Sequence, residues 1–311
     1  MLLFSLSAFS QEHVNLEETP QHKLLHVIPE RWQSPVVAVM PNRSDKEIQL
    51  LRPLGRSTST GSGVIVGKCY VATDMHVLYS PYDELSFGRE LERKVNVLAS
   101  VNGEQFIVGG KAVMFTESYW KIKDKKAARE AASTGTQYWR KNEDVALIKL
   151  DPFVVKKDKT YRTVNLGDLT GSYKIADKAP DKTEFMNLGA ETGLYTALGT
   201  LYASLARPLR LLWDKECWAR PIDKYGFITF KGNCHVVNGM SGGALIGKKD
   251  LKLYALIYAG DLDSHGAPSK EVPASYSDDD VLWNVPLNHF MALWPHYDRI
   301  VKAIRENPCQ N

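Results

Sequence analysis

Beyond the short segment Met1–Ser10, the chain has no apolar run approaching the roughly 20 residues a membrane-spanning helix needs. It has no surplus of charge. The 39 Lys and Arg against 36 Asp and Glu leave +3, so there is no electrostatic footprint for nucleic acid or an anionic membrane surface. It has no internal repeat of short period and no low-complexity tract. Cysteine is scarce: Cys69, Cys217, Cys234 and Cys309 are the four, and none are paired closely enough to read as zinc ligands. No metal and no cofactor are therefore expected. What is present is an ordinary globular composition, with 44% hydrophobic and 24% charged residues in 311. That length can bury a sizeable core, as one large domain or two lobes.

The stretch with most chemistry in it is Asn238-Gly239-Met240-Ser241-Gly242-Gly243-Ala244. Glycine tolerates positive φ and close approach of another chain. A serine set between such glycines can hold its hydroxyl clear of the backbone. The N–H groups of Gly239 and Ser241 can then point into one small space, which is what an oxyanion hole requires.

Two upstream segments give that serine its partners. Gly61 to His76 reads as strand, turn, strand and a polar bend ending on the histidine. Asn142-Glu143-Asp144-Val145-Ala146-Leu147-Ile148 places an acid at the mouth of a buried, β-rich run. A nucleophilic serine needs a base in hydrogen-bond reach, and the base needs a group that fixes its tautomer. His76, Asp144 and Ser241 supply the three types in that order along the chain.

Here the sequence resembles the chymotrypsin/trypsin-like serine peptidases. Ala72-Thr73-Asp74-Met75-His76-Val77 is similar to their histidine motif, Glu143-Asp144-Val145-Ala146-Leu147-Ile148 to their aspartate motif, and Gly239-Met240-Ser241-Gly242-Gly243-Ala244-Leu245 to their serine motif. The resemblance covers roughly residues 35 to 295. It implies an all-β fold of two six-stranded antiparallel barrels with a C-terminal helix. It implies catalysis by His76, Asp144 and Ser241, with Gly239 and Ser241 as the oxyanion hole. Trypsin-like zymogens mature by pairing a new N-terminal amine with an acid just before the nucleophile. Met240 stands there instead, so the resemblance is to the bacterial branches, which manage without that ion pair.

The same resemblance places the primary substrate pocket at His235, Val236 and Val237, with Ile257, Tyr258, Ala259 and Gly260 opposite. The pocket-base position falls on His235, where trypsin has its specificity acid, so Arg/Lys selectivity by that route is not implied. Asp261 and Asp263 remain as acids that could supply a negative wall. Glutamate-specific bacterial relatives also carry a pocket histidine. Tyr258 stands where the family usually has a serine supporting the catalytic acid.

Taken in order, Met1–Ser10 ends in Ala8-Phe9-Ser10 and reads as a secretory signal, with residues 11–34 as an N-terminal extension. Export to the periplasm or the cell exterior is expected. Short apolar runs between turn residues fill 35–151: Val36–Met40, Gly63–Val66, Val95–Ala99, Phe106–Gly110 and Ala112–Phe115. They read as the first barrel. Residues 119–141, with Lys121 to Ala132 rich in alanine and charge, read as a helical insertion. It is a solvated surface helix or, alternatively, a basic docking site. Residues 152–183 read as the linker and 184–288 as the second barrel. The second-barrel strands are expected near Leu194–Leu198, Leu209–Leu212, Phe227–Phe230, Leu253–Tyr258 and Val281–Val285. Residues 289–311 hold the expected helix, with Phe290, Leu293, Ile300 and Ile304 at helical spacing.

In an exported protein an even cysteine count favours disulfides. Three pairings are possible. Cys217 and Cys234 flank an expected hairpin, and their bond would brace the pocket wall; Cys69–Cys309 is what then remains. A monomer acting on a protein or peptide substrate is expected. Two other functions share the same fold: a non-catalytic binding or scaffold protein, and a serine hydrolase acting on esters.

Overall fold

The computed structural model describes residues 26–27, 34–41, 60–78, 94–116, 144–157, 159–180, 184–191, 209–224, 227–237, 239–259 and 287–310. Strands β1 (His26–Val27), β2 (Val36–Pro41), β3 (Gly61–Ile65) and β4 (Tyr70–Thr73) lead to a short helix α1 (Met75–Leu78). Then come β5 (Lys94–Val101), β6 (Glu104–Phe115), β7 (Ala146–Leu150), β8 (Phe153–Lys157), β9 (Thr160–Val164) and helix α2 (Leu166–Thr170). The second half holds β10 (Glu184–Ala190), β11 (Leu211–Lys224), β12 (Phe227–Gly232), β13 (Ala244–Gly247), β14 (Leu253–Ala259), β15 (Asn288–Ala292) and helix α3 (Tyr297–Glu306).

Strands β2-β3-β4-β7-β6-β5 form one closed antiparallel barrel. In the second sheet the order is β1-β11-β10-β13-β14-β15-β12, and β11 also pairs with β12. That extra pairing closes β10 to β15 into a second six-stranded ring. This is the chymotrypsin-type architecture expected from the sequence.

Strands β3, β4 and β13 are buried at every position, so both of their faces are covered. On β2, Val37 and Val39 point into the first barrel, while Val36 and Ala38 join a different cluster. That other cluster lies between the barrels. It takes Ala72 and Leu147 from the first, Leu188, Ala244, Ile246 and Leu256 from the second, and Ile300 and Ala303 from α3. A third cluster, with Phe185, Phe230, Leu245, Ile257 and Phe290, fills the second barrel. On β2, period-2 alternation thus sorts residues between two cores rather than between core and water.

Several expectations shift in detail. The C-terminal helix begins at Tyr297, not His289. Asn288–Ala292 is instead the last strand, paired with both β12 and β14; it is buried at all positions but His289, because it is covered on both faces. The linker is not bare chain, because β8 and β9 form a hairpin there and α2 follows. The N-terminal extension adds β1 to the edge of β11. The insertion 119–141, Met1–Ser10 and the expected strands at Leu194–Leu198 and Val281–Val285 lie outside the described residues. Among the described residues, no helix is long and apolar enough to cross a membrane.

Both disulfides expected from the cysteine positions are formed. Cys217–Cys234 spans the β11–β12 hairpin. Cys69–Cys309 ties the tail after α3 to the first barrel. Tyr70 donates its hydroxyl to the carbonyl of Asn307 at 2.5 Å, and Asn165 Nδ2 donates to Gln310 O at 3.2 Å, fixing the same tail.

Candidate active site

The register of β4 against β7 sets the first half of the site. Thr73 faces Ala146 and Ala72 faces Leu147, so the residues just beyond each strand end, Asp74–His76 and Asp144–Val145, meet at one end of the barrel. There the chain turns into α1, whose Met75, Val77 and Leu78 are buried. His76 is left facing outward, with 29% of its side chain exposed, against a fully buried Asp144. Asp144 Oδ1 accepts the backbone N–H of His76 at 2.8 Å. Its Oδ2 lies 2.6 Å from His76 Nδ1. One carboxylate therefore fixes both the backbone and the ring. With Nδ1–H given to the carboxylate, Nε2 is the nitrogen left to act as a base. Burial pulls the imidazole pKa down. The charge and hydrogen bond of Asp144, with a further contribution from the charge of Asp74, outweigh it and raise the value to about 9.

The second half is the turn before β13. Gly239 and Gly242 both adopt positive φ, 94° and 83°. At Gly242 a Cβ would also strike the Ser62 carbonyl and the Thr73 hydroxyl, so only glycine fits. The turn is closed by Met240 N–H to Val237 O at 3.1 Å and Gly243 N–H to Met240 O at 2.8 Å. The first barrel grips it. Ser62 N–H donates to Ser241 O at 2.6 Å. Ser62 Oγ donates to Gly239 O at 3.1 Å and accepts the N–H of Ala190 at 2.8 Å.

Tyr258 joins the halves. Its ring stands edge-on to His76, with centroids 5.7 Å apart. Its carbonyl accepts the Ser241 hydroxyl at 3.4 Å. Among the described residues, Ser241 Oγ is thus turned to Tyr258 O rather than to His76. The position expected to support the catalytic acid instead contributes its ring to His76 and its carbonyl to Ser241.

Of the expected pocket residues, Val236 and Ile257 pack in the interior of the second barrel, while Gly260 lies outside the described residues, as do Asp261 and Asp263. His235 is held from behind. Asp214 Oδ2 lies 2.6 Å from its Nδ1 and accepts its backbone N–H at 3.1 Å. Asn187 Nδ2 donates to its carbonyl at 2.6 Å. Its Nε2 is buried and, among the described residues, has no hydrogen-bond partner.

Sequence reasoning missed three contributors: Asp74, Ser62 and Asp214. Asp74 is fully buried, its Oδ2 accepts Gly242 N–H at 2.8 Å, and it lies 4.0 Å from His76 Nδ1. Its signal was visible as an acid two residues before the histidine. Ser62 was visible as a lone polar residue between Gly61 and Gly63. Nothing around Asp214 in the sequence marks it. Asp74, His76 and Asp144 also present ligand atoms within 4.8 Å of one another. Both Asp144 oxygens are already engaged by His76, so a cation there would have to displace the Nδ1 proton.

No protein-family model matches the chain. No curated protein matches it. Among solved structures it is similar to the protease Anisep from Arthrobacter nicotinovorans, at 13% identity over 86% of this chain and 92% of that one, with a TM-score of 0.45. On the strength of its own two closed six-stranded barrels and C-terminal helix, the chain has the fold of the trypsin-like serine peptidases.

Proposed function

We propose that the protein is a serine endopeptidase in which Ser241 is the nucleophile, His76 the general base and Asp144 the group that orients it. The observation that carries this is the His76–Asp144 pair, doubly hydrogen-bonded and half-open, beside a serine on a positive-φ glycine turn. Ser241 Oγ rotates from the Tyr258 carbonyl toward His76 Nε2 as substrate binds; such contacts are often loose before binding. Oγ attacks the peptide carbonyl as His76 takes its proton. The N–H groups of Gly239 and Ser241 hold the oxyanion. The imidazolium then protonates the departing amine, and water, deprotonated by the same histidine, releases the acyl group. Asp144 keeps the imidazole oriented and stabilises the imidazolium.

The substrate side chain enters between the segment 235–237 and the end of β14. His235, with Nδ1 engaged by Asp214, lies on that segment. The two disulfides support function outside the reducing cytoplasm.

Cleavage-site profiling on a denatured proteome tests the reading. Cleavage at a defined residue class that disappears in Ser241→Ala supports it, and equal cleavage by both proteins removes it. One observation favours a second reading: Ser241 Oγ is bonded to Tyr258 O, a setting that suits a serine kept for structure in a binding protein. In that case neither protein cleaves.

A further inference from the structure

Asp74 is a buried titratable group that the mechanism above leaves unused. It lies between the two halves of the site, in the turn from β4 to α1. Its side chain is wholly excluded from water. Oδ2 accepts the N–H of Gly242 at 2.8 Å, the residue after the nucleophile. The same oxygen lies 4.0 Å from His76 Nδ1. Among the described residues, Oδ1 has no hydrogen-bond partner. A carboxylate that only needed to accept one backbone N–H could be replaced by an amide or hydroxyl, without the cost of burying a charge.

We propose that Asp74 is a positioning residue of the active site, a second carboxyl behind His76 that ties the histidine segment to the nucleophile turn and sets the pH at which the imidazole releases its proton. The proposal deepens the peptidase reading and rests on it for the role of His76.

Among the described residues, the charged groups facing Asp74 are few. Asp144, at the start of β7, adds a like charge, and His76 on α1 is the one cationic partner. The nucleophile turn contributes the Gly242 N–H, and β14 contributes the ring of Tyr258, which meets His76 edge-on. No lysine or arginine balances the two acids there. Burial first, and the Asp144 charge second, push the Asp74 carboxyl well above its usual range; His76 and the Gly242 N–H pull the other way. Asp74 and His76 are therefore set to compete for one proton. With the proton on Asp74, the imidazole is neutral and able to act as a base. With the proton on His76, two carboxylates surround an imidazolium that cannot. The titration belongs to the pair rather than to either residue.

The discriminating variant is Asp74→Asn, which keeps the shape and an acceptor for Gly242 N–H but cannot ionise. The readout is the imidazole titration of His76 by NMR, with its signal assigned by its loss in His76→Gln. The midpoint should fall by about 1 to 3 pH units, the range for removing a nearby opposite charge. The acid limb of kcat/KM should move the same way with KM little changed. An unchanged His76 midpoint in a folded Asp74→Asn protein overturns the proposal. Should that variant not fold, the wild-type carboxyl resonance of Asp74 decides. Titration over the same pH range as His76 supports the proposal, and titration in the ordinary carboxyl range overturns it. Neither NMR reading depends on catalysis, so failure here is separable from failure of the peptidase assignment.

Discussion

Ser62 donates its backbone N–H to the carbonyl of Ser241 at 2.6 Å, so a residue of the first barrel holds the glycine-rich turn of the second. Its hydroxyl completes the grip by accepting the Ala190 N–H and donating to Gly239 O. Ser62→Ala would leave the buried Ala190 N–H without an acceptor, which costs about 1 to 3 kcal/mol. The expected outcome is a lower urea midpoint together with a kcat drop that exceeds any change in KM, because the turn carrying Ser241 loosens. Unfolding curves and steady-state kinetics on the same preparation check this.

The Asp144 carboxylate holds His76 at two points. Asp144→Asn should leave the fold intact and lower kcat about 10⁴-fold, the size known for chymotrypsin-type triads and taken from them. The loss comes from presenting the wrong tautomer. A single-turnover assay with an activated ester separates this from weakened binding.

Stability should fall as pH rises. His76 is raised from 6.5 to about 9 on folding, so the folded chain binds the proton more tightly. That stabilisation is fully present below about 6.5 and is lost as pH climbs through about 9. Asp74 is raised as well and acts with the same sign, favouring the folded state while it can stay protonated. Urea midpoints across this window should decline in wild type and decline less in His76→Gln.

Cys69–Cys309 closes a separation of 240 residues and anchors the tail after α3. Replacing both cysteines with serine should cost about 2 to 5 kcal/mol, visible as a lower thermal midpoint. Peptide hydrolysis in the folded fraction should persist, because the bond lies away from Ser241.

His235 and Asp214 repeat the construction of His76 and Asp144, with a carboxylate bonded to both Nδ1 and the backbone N–H. Asp214→Ala should be strongly destabilising, since it also strips the acceptor from Glu216 N–H. His235→Leu, which fills the site without polarity, should change cleavage-site preference while Ser241 keeps its reactivity toward a fluorophosphonate. Cleavage profiling of the two folded proteins tests the pocket assignment.

How much could be read beforehand follows from the physics of each feature. Many of the strands were legible because short β-rich runs between turn residues are a local signal, while their closure into two barrels was implied only by the resemblance of the three motifs. The segment after Leu287 misled because Phe290, Leu293, Ile300 and Ile304 satisfy helical spacing, while Asn288–Ala292 is claimed by pairing with β12 and β14. Long-range pairing of that kind leaves no trace in local periodicity. His76 and Asp144 were found by their motifs, and their meeting follows from the β4–β7 register. Asp214 was invisible because it reaches His235 across 21 residues of hairpin. Asp74 stood in plain sight, but its meaning depends on Gly242, a partner 168 residues away.

The most direct measurement is intact-mass analysis after exposure to a fluorophosphonate, on wild type, Ser241→Ala and His76→Gln. The account predicts one adduct on wild type, mapped to Ser241, that is absent from the serine variant and strongly slowed in the histidine variant. A folded wild-type protein that takes no label, or takes it equally without His76, would contradict it.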